Sequence, residues 1–247
     1  EYAEGQVNEL LKHNPNVTYS DSLHLGDSLR SYRAEKLSAF VHALLDINDN
    51  AASIFAEIKD KYPIVLTRDM EKAKKWLHST VSGTERSGVL ISKESARYKP
   101  LGIHVLPSGD EDAVHWFLED KQDTRSSNYL EDAATEIQVQ GLELDYTCLL
   151  WDADMRYENG EWHFYRFNGK TAWKEILPNT ISSSERIKYM LNAYRVLLTR
   201  ARVGMIICVP EGNGTKNPNG YWEDSTRLPT YYDGTYEYLR SLGIEEI

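Results

Sequence analysis

The sequence predicts an α/β fold in which a mainly parallel sheet lies between two layers of helices. The apolar segment Tyr62–Thr67 leads directly into the amphipathic pattern of Arg68–Thr80, and a second apolar strand, Gly88–Ser92, follows it. An amphipathic stripe that ends at Leu198 is likewise followed by the apolar run Val203–Val209. Strands and helices that alternate in this way are typical of parallel sheets, because a parallel neighbour requires a crossover connection.

Periodicity and turn-forming residues predict the other elements. A helix over 1–13 is ended by Asn14, Pro15 and Asn16, and an extended segment over 17–25 follows. A helix after residue 29 has an apolar face made of Leu37, Phe40, Val41, Leu44 and Leu45. The later predictions are a strand at 103–106, a helix containing 114–118, a β-rich run over 133–145 broken at Gly141, a strand at 146–151, a hairpin within 161–173, a surface loop over 210–227 and a helix over 234–242.

Composition limits the classes of function. An apolar fraction of 41% supplies a hydrophobic core, whereas a net charge of -10 argues against binding nucleic acid through bulk electrostatics, so any such contact is expected to be local. Cys148 and Cys208 lie in apolar strands, which favours two buried, reduced thiols in a cytoplasmic protein. No apolar run approaches the roughly 18 residues that cross a membrane, so no membrane partner is expected. The chain begins at Glu1 without a methionine, and we expect it to be part of a longer protein.

Arginines are concentrated where the central helix meets its strand, in the sequence NAYRVLLTRAR over 192–202. At about 100° per residue, Arg195 and Arg202 project within about 20° of each other, while Arg200 points roughly 140° away from Arg195. Arginines near a helix C-terminus can simply complement the macrodipole, which contributes about 0.3–1 kcal/mol. The alternative is that these guanidinium groups bind an anion.

A second group of cations, Arg30, Arg33 and Lys36, lies at the predicted start of the helix after residue 29. The helix dipole disfavours positive charge there, and Glu35 offsets only part of the cost. Either these residues have carboxylate partners elsewhere, or they have a functional role.

Two motifs that imitate nucleotide or metal sites are set aside. Gly169, Lys170 and Thr171 look like the end of a phosphate loop, but that motif requires glycine where Phe164 stands. The acidic segment 152–154 imitates a metal-binding strand end. Without a phosphate loop upstream, we expect its two aspartates to be turn or surface-pairing residues and predict no metal site, the alternative being a metal-dependent enzyme.

Three stretches resemble motifs of superfamily 1 DNA/RNA helicases. The segment LLTRAR resembles the last motif, L-x-S-Y-R over 29–33 resembles the Asn-Tyr-Arg-Ser element, and T-x-x-x-x-x-G-L-E over 135–143 resembles the motif that couples nucleotide to nucleic acid. Together with IVLTRDMEKAKKWL, they resemble the bacterial, uncharacterised helicase-like ATPases grouped with Schlafen-type proteins. The resemblance implies that Arg33 and Arg200 contact nucleotide phosphates and that Glu143 holds the sugar. It further implies nucleotide contacts near Gly141 and Arg202 and nucleic-acid contacts by Thr135, Gln138 and Gln140, although Gln140 replaces the lysine of many relatives.

The resemblance also implies a division into domains. No phosphate loop or magnesium-binding strand occurs in the sequence, so the chain resembles the C-terminal half of such a motor, a three-layer RecA-like domain of the P-loop NTPase type. Residues 1–28 would be a helix and connector from a missing first domain, and 29–247 the second motor domain. The expected partners are that N-terminal RecA-like domain, which would hold most of ATP and Mg²⁺, and single-stranded DNA or RNA. The alternative is a degenerate RecA-like binding or regulatory module without ATPase activity.

Overall fold

The computed structural model describes residues 32–95, 97–107, 110–169 and 172–247, and for residues 32, 33, 110 and 111 it describes the helical backbone alone. The predicted elements over 1–13 and 17–25 lie outside these residues. The helices are α1 (Tyr32–Leu45), α2 (Ala51–Ile58), α3 (Met70–Thr80), α4 (Asp110–Leu118), α5 (Ile181–Leu198) and α6 (Asp233–Ser241). The strands are β1 (Ile64–Thr67), β2 (Ser87–Ile91), β3 (His104–Val105), β4 (Asp132–Thr135), β5 (Leu144–Leu150), β6 (Met155–Glu158), β7 (Glu161–Asn168), β8 (Ala172–Glu175), β9 (Ala201–Cys208) and β10 (Glu245–Glu246).

Seven strands form a central sheet in the order β10-β1-β9-β5-β2-β4-β3. Every neighbouring pair in this sheet is parallel. A parallel sheet is normally covered on both faces, because its crossover helices lie there. The predicted α/β class with a mainly parallel sheet is therefore confirmed.

Each face of the sheet has its own hydrophobic core, as β9 illustrates. Met205 and Ile207 belong to the core on one face, and Ile206 and Cys208 belong to the core on the other, because successive side chains of a strand point to opposite faces. Helices α1, α2, α5 and α6 cover the first face, and α3 covers the second. The arrangement has three layers, consistent with a RecA-like fold.

The direction of the sheet defines two edges that matter for function. The amino edge contains the residues at the starts of the parallel strands, and the carboxyl edge contains those at their ends. From β1 the chain passes through α3 to β2, whereas from its neighbour β9 it passes through α6 to β10 on the opposite side of β1. The strand order thus reverses between β1 and β9, and open α/β sheets commonly bind ligands at the carboxyl edge of such a point.

The smaller sheet contains three antiparallel strands, β6, β7 and β8. The predicted hairpin is confirmed by β7 and β8, which flank Gly169 at a φ of 66°. A positive φ of this kind is a turn conformation that glycine adopts without strain. Gly169 is therefore a turn residue, and Lys170 and Thr171 lie outside the described residues.

The prediction of a β-rich run over 133–145 is confirmed at its two ends and was wrong over residues 136–143. β4 ends at Thr135, and turns occupy 136–141 before β5 begins at Leu144. The apolar alternation of this stretch is misleading, because Gln138 accepts a hydrogen bond from the Thr135 backbone N–H at 2.7 Å and closes a turn instead. Gly141, at a φ of 86°, continues the departure from strand geometry.

The structure confirms the predicted buried face of α1 and the predicted state of the two cysteines. The five apolar residues predicted for the face of α1 are all buried, and so are Cys148 and Cys208, which form no disulfide. Helix α2 was not predicted, because its eight residues are too few for a clear stripe. Within the described part of the chain, no helix has the length and apolar character needed to cross a membrane.

Candidate functional site

Arg200 immediately precedes β9 and lies at the amino edge of the sheet. It is only 9% exposed, and its Nη1 donates to the carbonyl oxygens of Val139 at 3.4 Å and Leu142 at 3.2 Å. Its Nε donates to the Val196 carbonyl at 3.2 Å. Arg200 therefore joins the end of α5 to the connection between β4 and β5, which we call the 136–143 loop.

Arg202 follows two residues later and has a different environment. Its side chain is 57% exposed, and its Nη2 donates to Oδ1 of Asp145 at 2.7 Å. Asp145 is itself positioned, because its Oδ2 accepts a hydrogen bond from the Arg86 backbone N–H at 2.8 Å. Glu143 is exposed beside β5, and no described residue pairs with its carboxylate. A cation and an anion thus stand at the amino edge, within reach of a ligand outside the sheet.

The remaining arginines of the sequence motifs have separate positions. Arg195 lies on α5, and its Nη2 donates to Asp46 at 3.3 Å, so the three arginines of the segment NAYRVLLTRAR have three different partners. Arg33 lies in the first turn of α1. Its side chain is outside the described residues, and its predicted phosphate contact stays a prediction.

The residues predicted to contact nucleic acid begin at the opposite edge. Thr135 ends β4 at the carboxyl edge and donates its hydroxyl to Oε1 of Gln138 at 2.9 Å. The Gln138 amide donates to the carbonyl oxygens of Leu106 at 3.0 Å and Pro107 at 2.9 Å. Gln138 therefore fastens the start of the 136–143 loop to the end of β3.

The other end of the 136–143 loop is more open. Gln140 and Gly141 are exposed. A Cβ built on Gly141 meets nothing within 4 Å, so the glycine is required by its backbone conformation and not by a neighbouring atom. The structure thus brings Gly141 and Glu143 to the same edge as Arg200 and Arg202, and it separates them from Thr135 and Gln138 by the length of a strand.

A cavity of about 430 Å³ at the carboxyl edge was not predicted from the sequence. It lies where the strand order reverses, beyond the ends of β1, β9 and β5. Its lining comes from five separated segments of the chain: Arg68, Asp69 and Met70; Arg97, Tyr98 and Leu101; Asp152; Cys208, Pro210, Glu211 and Gly212; and Arg227 and Tyr232. The sequence held one clue to this cavity: Arg68 and Asp69 directly follow a buried strand of the parallel sheet, and residues at that position lie at the carboxyl edge.

The arginines of this cavity are held by carboxylates. Arg68 donates to Asp233 at 2.6 Å, and Asp224 accepts from Arg97 at 3.1 Å and Arg227 at 2.8 Å. Burial alone would raise the pKa of Asp224, but hydrogen bonds from Thr226 and from the two arginines outweigh it and hold the pKa well below its usual range. The carboxylate is therefore charged at neutral pH and fixes both guanidinium groups.

Asp154 lies in a turn and Asp152 lies two residues before it, and the alternative that these aspartates are surface-pairing residues was wrong. Both side chains are buried below the carboxyl edge. Asp152 accepts hydrogen bonds from the backbone N–H of Arg97 at 2.9 Å and from the Tyr232 hydroxyl at 3.2 Å, and Asp154 accepts one from the Tyr194 hydroxyl at 2.8 Å. Burial and the charge of Asp152 raise the pKa of Asp154 to about 7. Among the described residues, no group of three or more metal-ligating side chains could hold a metal ion.

The parallel seven-stranded sheet between layers of helices is a three-layer α/β arrangement consistent with a RecA-like domain. Residues 1–211 match the family described as Schlafen group 3, DNA/RNA helicase domain. The match covers most of the 247 residues, and the chain belongs to this family. No curated protein matches the chain, and no solved structure matches it.

Proposed function

We propose that this chain is the second motor domain of an ATP-dependent DNA or RNA helicase or translocase. In this proposal a companion RecA-like domain holds ATP and Mg²⁺, and the amino edge of the present sheet closes over the nucleotide. The observation that carries the proposal is the amino-edge cluster, in which exposed Arg202 and Glu143 lie beside buried Arg200. Membership of a helicase-domain family supports it.

The chemistry of phosphoryl transfer explains why arginines at such an edge would be useful. The reaction needs little covalent assistance and much stabilisation of developing negative charge, so one domain can hold the phosphates while another supplies a guanidinium group. Arg202 suits this role because a single described carboxylate, Asp145, orients it while much of the side chain stays accessible. Arg33 and Arg200 complete the set of arginines proposed to face ATP, and Glu143 is proposed to hold the sugar.

The 136–143 loop would couple the nucleotide to the nucleic acid. One end is fastened to β3 through Gln138, and the other is held by the Arg200 guanidinium. If the companion domain closes on the amino edge and moves this loop, the movement would reach Thr135 and Gln138, where single-stranded DNA or RNA is proposed to bind. Gln140, exposed on the same loop, is proposed to contact the strand as well. Such coupling implies reciprocal effects of the two ligands on each other's affinity.

The experiment is oligonucleotide-stimulated ATP hydrolysis by the full-length protein carrying Arg202→Ala. We expect kcat to fall by roughly 10³-fold, the lower end of the contribution of an arginine finger. The matched control is Arg125→Ala, because Arg125 is 53% exposed and is also paired with carboxylates, Asp123 at 2.8 Å and Glu119 at 3.7 Å, but lies on the connection between α4 and β4 and not in the cluster of Arg200, Arg202 and Glu143. That variant should retain full activity.

Unchanged hydrolysis by Arg202→Ala would refute the role of this arginine. Absence of any hydrolysis by the unsubstituted protein, with oligonucleotide affinity independent of a non-hydrolysable ATP analogue, would identify a binding or regulatory module instead.

A further inference from the structure

The segment after β9, predicted as a surface loop, contains a β-hairpin between residues 213 and 227. The Asn213 N–H donates to the Arg227 carbonyl, Glu223 donates to Thr215 at 3.0 Å, and Asn217 donates to Tyr221 at 2.8 Å. Lys216 and Trp222 form an antiparallel bridge between these pairs. The hairpin lies outside the match to the helicase-domain family, which ends at residue 211.

The tip of the hairpin has a fixed backbone. The Asn217 side chain accepts hydrogen bonds from the backbone N–H groups of Asn219 at 3.0 Å and Tyr221 at 3.1 Å, and Gly220 adopts a φ of 81°. An asparagine that bonds its own turn in this way stabilises the turn against alternatives. The side chains next to it are therefore presented in a defined position.

Those side chains include two aromatic rings that the fold does not cover. Tyr221 is 72% exposed and Trp222 is 41% exposed, and the ammonium group of Lys216 lies 4.4 Å from the centre of the Trp222 ring. Aromatic rings usually bury much of their surface in a core or an interface. Two exposed rings with an adjacent cation match the composition of surfaces that stack the bases of single-stranded nucleic acid and neutralise its phosphates.

The base of the hairpin connects this tip to the carboxyl-edge cavity. Asp224, on the returning strand, accepts hydrogen bonds from Arg97 and Arg227, which both line the cavity. Gly212 leads into the hairpin from the same cavity, and a Cβ there would come within 2.5 Å of the Arg227 carbonyl oxygen. The hairpin is thus anchored at the carboxyl edge, the edge at which Thr135 ends β4.

We propose that the tip of this hairpin, formed by Lys216, Tyr221 and Trp222, stacks unpaired bases of a single-stranded nucleic acid at the carboxyl edge of the sheet. This inference rests on the proposed function. A strand is favoured over a protein partner because the tip has two flat rings and a cation among short polar side chains, and it offers no aliphatic anchor to fill a hydrophobic pocket.

The test measures binding of the full-length protein to two fluorescent single strands of 20 nucleotides. One is oligothymidine, and the other is abasic, with the same number of phosphates and no bases. Simultaneous Tyr221→Ala and Trp222→Ala should weaken binding to the thymidine oligonucleotide by on the order of tenfold or more and leave binding to the abasic one unchanged. Tyr221→Phe with Trp222→Phe should restore the affinity, because the rings are kept. Lys216→Ala should weaken binding to both. Tyr129→Ala is the control, since Tyr129 is an exposed tyrosine outside the hairpin.

The outcomes separate this inference from the proposed function. If the unsubstituted protein binds neither of these oligonucleotides nor a uridine RNA oligonucleotide of the same length, both proposals are overturned. If it binds and hydrolyses ATP while the alanine variant retains full affinity, only the hairpin inference fails. Equal losses on thymidine and abasic oligonucleotides would overturn stacking, and a changed sedimentation coefficient with unchanged oligonucleotide affinity would assign the tip to a protein interface instead.

Discussion

At the scale of single residues, Asp154 connects the end of β5 to the central helix α5. Its Oδ1 accepts the Tyr194 hydroxyl at 2.8 Å, and among the described residues its buried Oδ2 has no hydrogen-bond partner. Burial and the neighbouring charge of Asp152 raise its pKa to about 7. A protonated carboxyl group is thus preferred in the folded protein over much of the acidic pH range.

This pKa predicts how stability depends on pH. The unfolded chain releases the Asp154 proton near pH 4, whereas the folded protein keeps it until about pH 7, so the folded state binds more protons between these values. The contribution of Asp154 to the free energy of unfolding should therefore fall as the pH rises from about 4 to about 7, by an amount on the order of a few kcal/mol. Above about pH 7 the carboxylate is ionised in both states, and the full cost of burying its charge lowers the free energy of unfolding.

The measurement is urea denaturation at intervals between about pH 4 and pH 8 for the unsubstituted protein and for Asp154→Asn. Because asparagine does not titrate, the variant should lose less stability than the unsubstituted protein as the pH rises. Parallel pH profiles for the two proteins would contradict the assignment.

At the scale of elements, the 136–143 loop depends on Arg200. The guanidinium group donates to the carbonyls of Val139 and Leu142, and since the Val139 carbonyl also accepts from the Leu142 N–H at 3.1 Å, replacing the group with a methyl group would leave the Leu142 carbonyl unpaired. Unpaired buried polar groups each cost about 1–3 kcal/mol. Arg200→Ala should therefore lower the free energy of unfolding by roughly 1–3 kcal/mol.

The matched comparison is Arg202→Ala, which removes an exposed ion pair with Asp145 and should change stability by less than about 1 kcal/mol. Denaturant midpoints of the two variants measure the difference. We expect Arg200→Ala to lose stability. We expect Arg202→Ala to lose ATP hydrolysis while its stability stays nearly unchanged. Equal midpoints for both variants would show that Arg200 does not hold the loop.

Some elements of the fold could be predicted from the sequence and others could not. The buried face of α1 and the strand-to-helix unit at β1 and α3 were predictable, because a regular stripe is a local signal. The turn after Thr135 was not, since it depends on where the Gln138 side chain finds its acceptors in the backbone after β3. The carboxyl-edge cavity was also beyond prediction, because five separated segments build it and only the fold brings them together.

At the scale of the whole molecule, the two edges of the sheet offer two different surfaces. The amino edge carries Arg200, Arg202 and Glu143, for which the motifs in the sequence imply nucleotide contacts. The carboxyl edge carries the cavity and the hairpin, where α/β sheets commonly bind ligands. In the proposed function, ATP binds at the amino edge and nucleic acid at the carboxyl edge.

Hydrogen exchange of the full-length protein, with and without a non-hydrolysable ATP analogue, distinguishes these assignments most directly. We predict that the analogue protects backbone amides at residues 139–145 and 199–203, because closure of the companion domain would cover the amino edge. Protection confined to residues 68–70 and 208–212, around the carboxyl-edge cavity, would contradict the account.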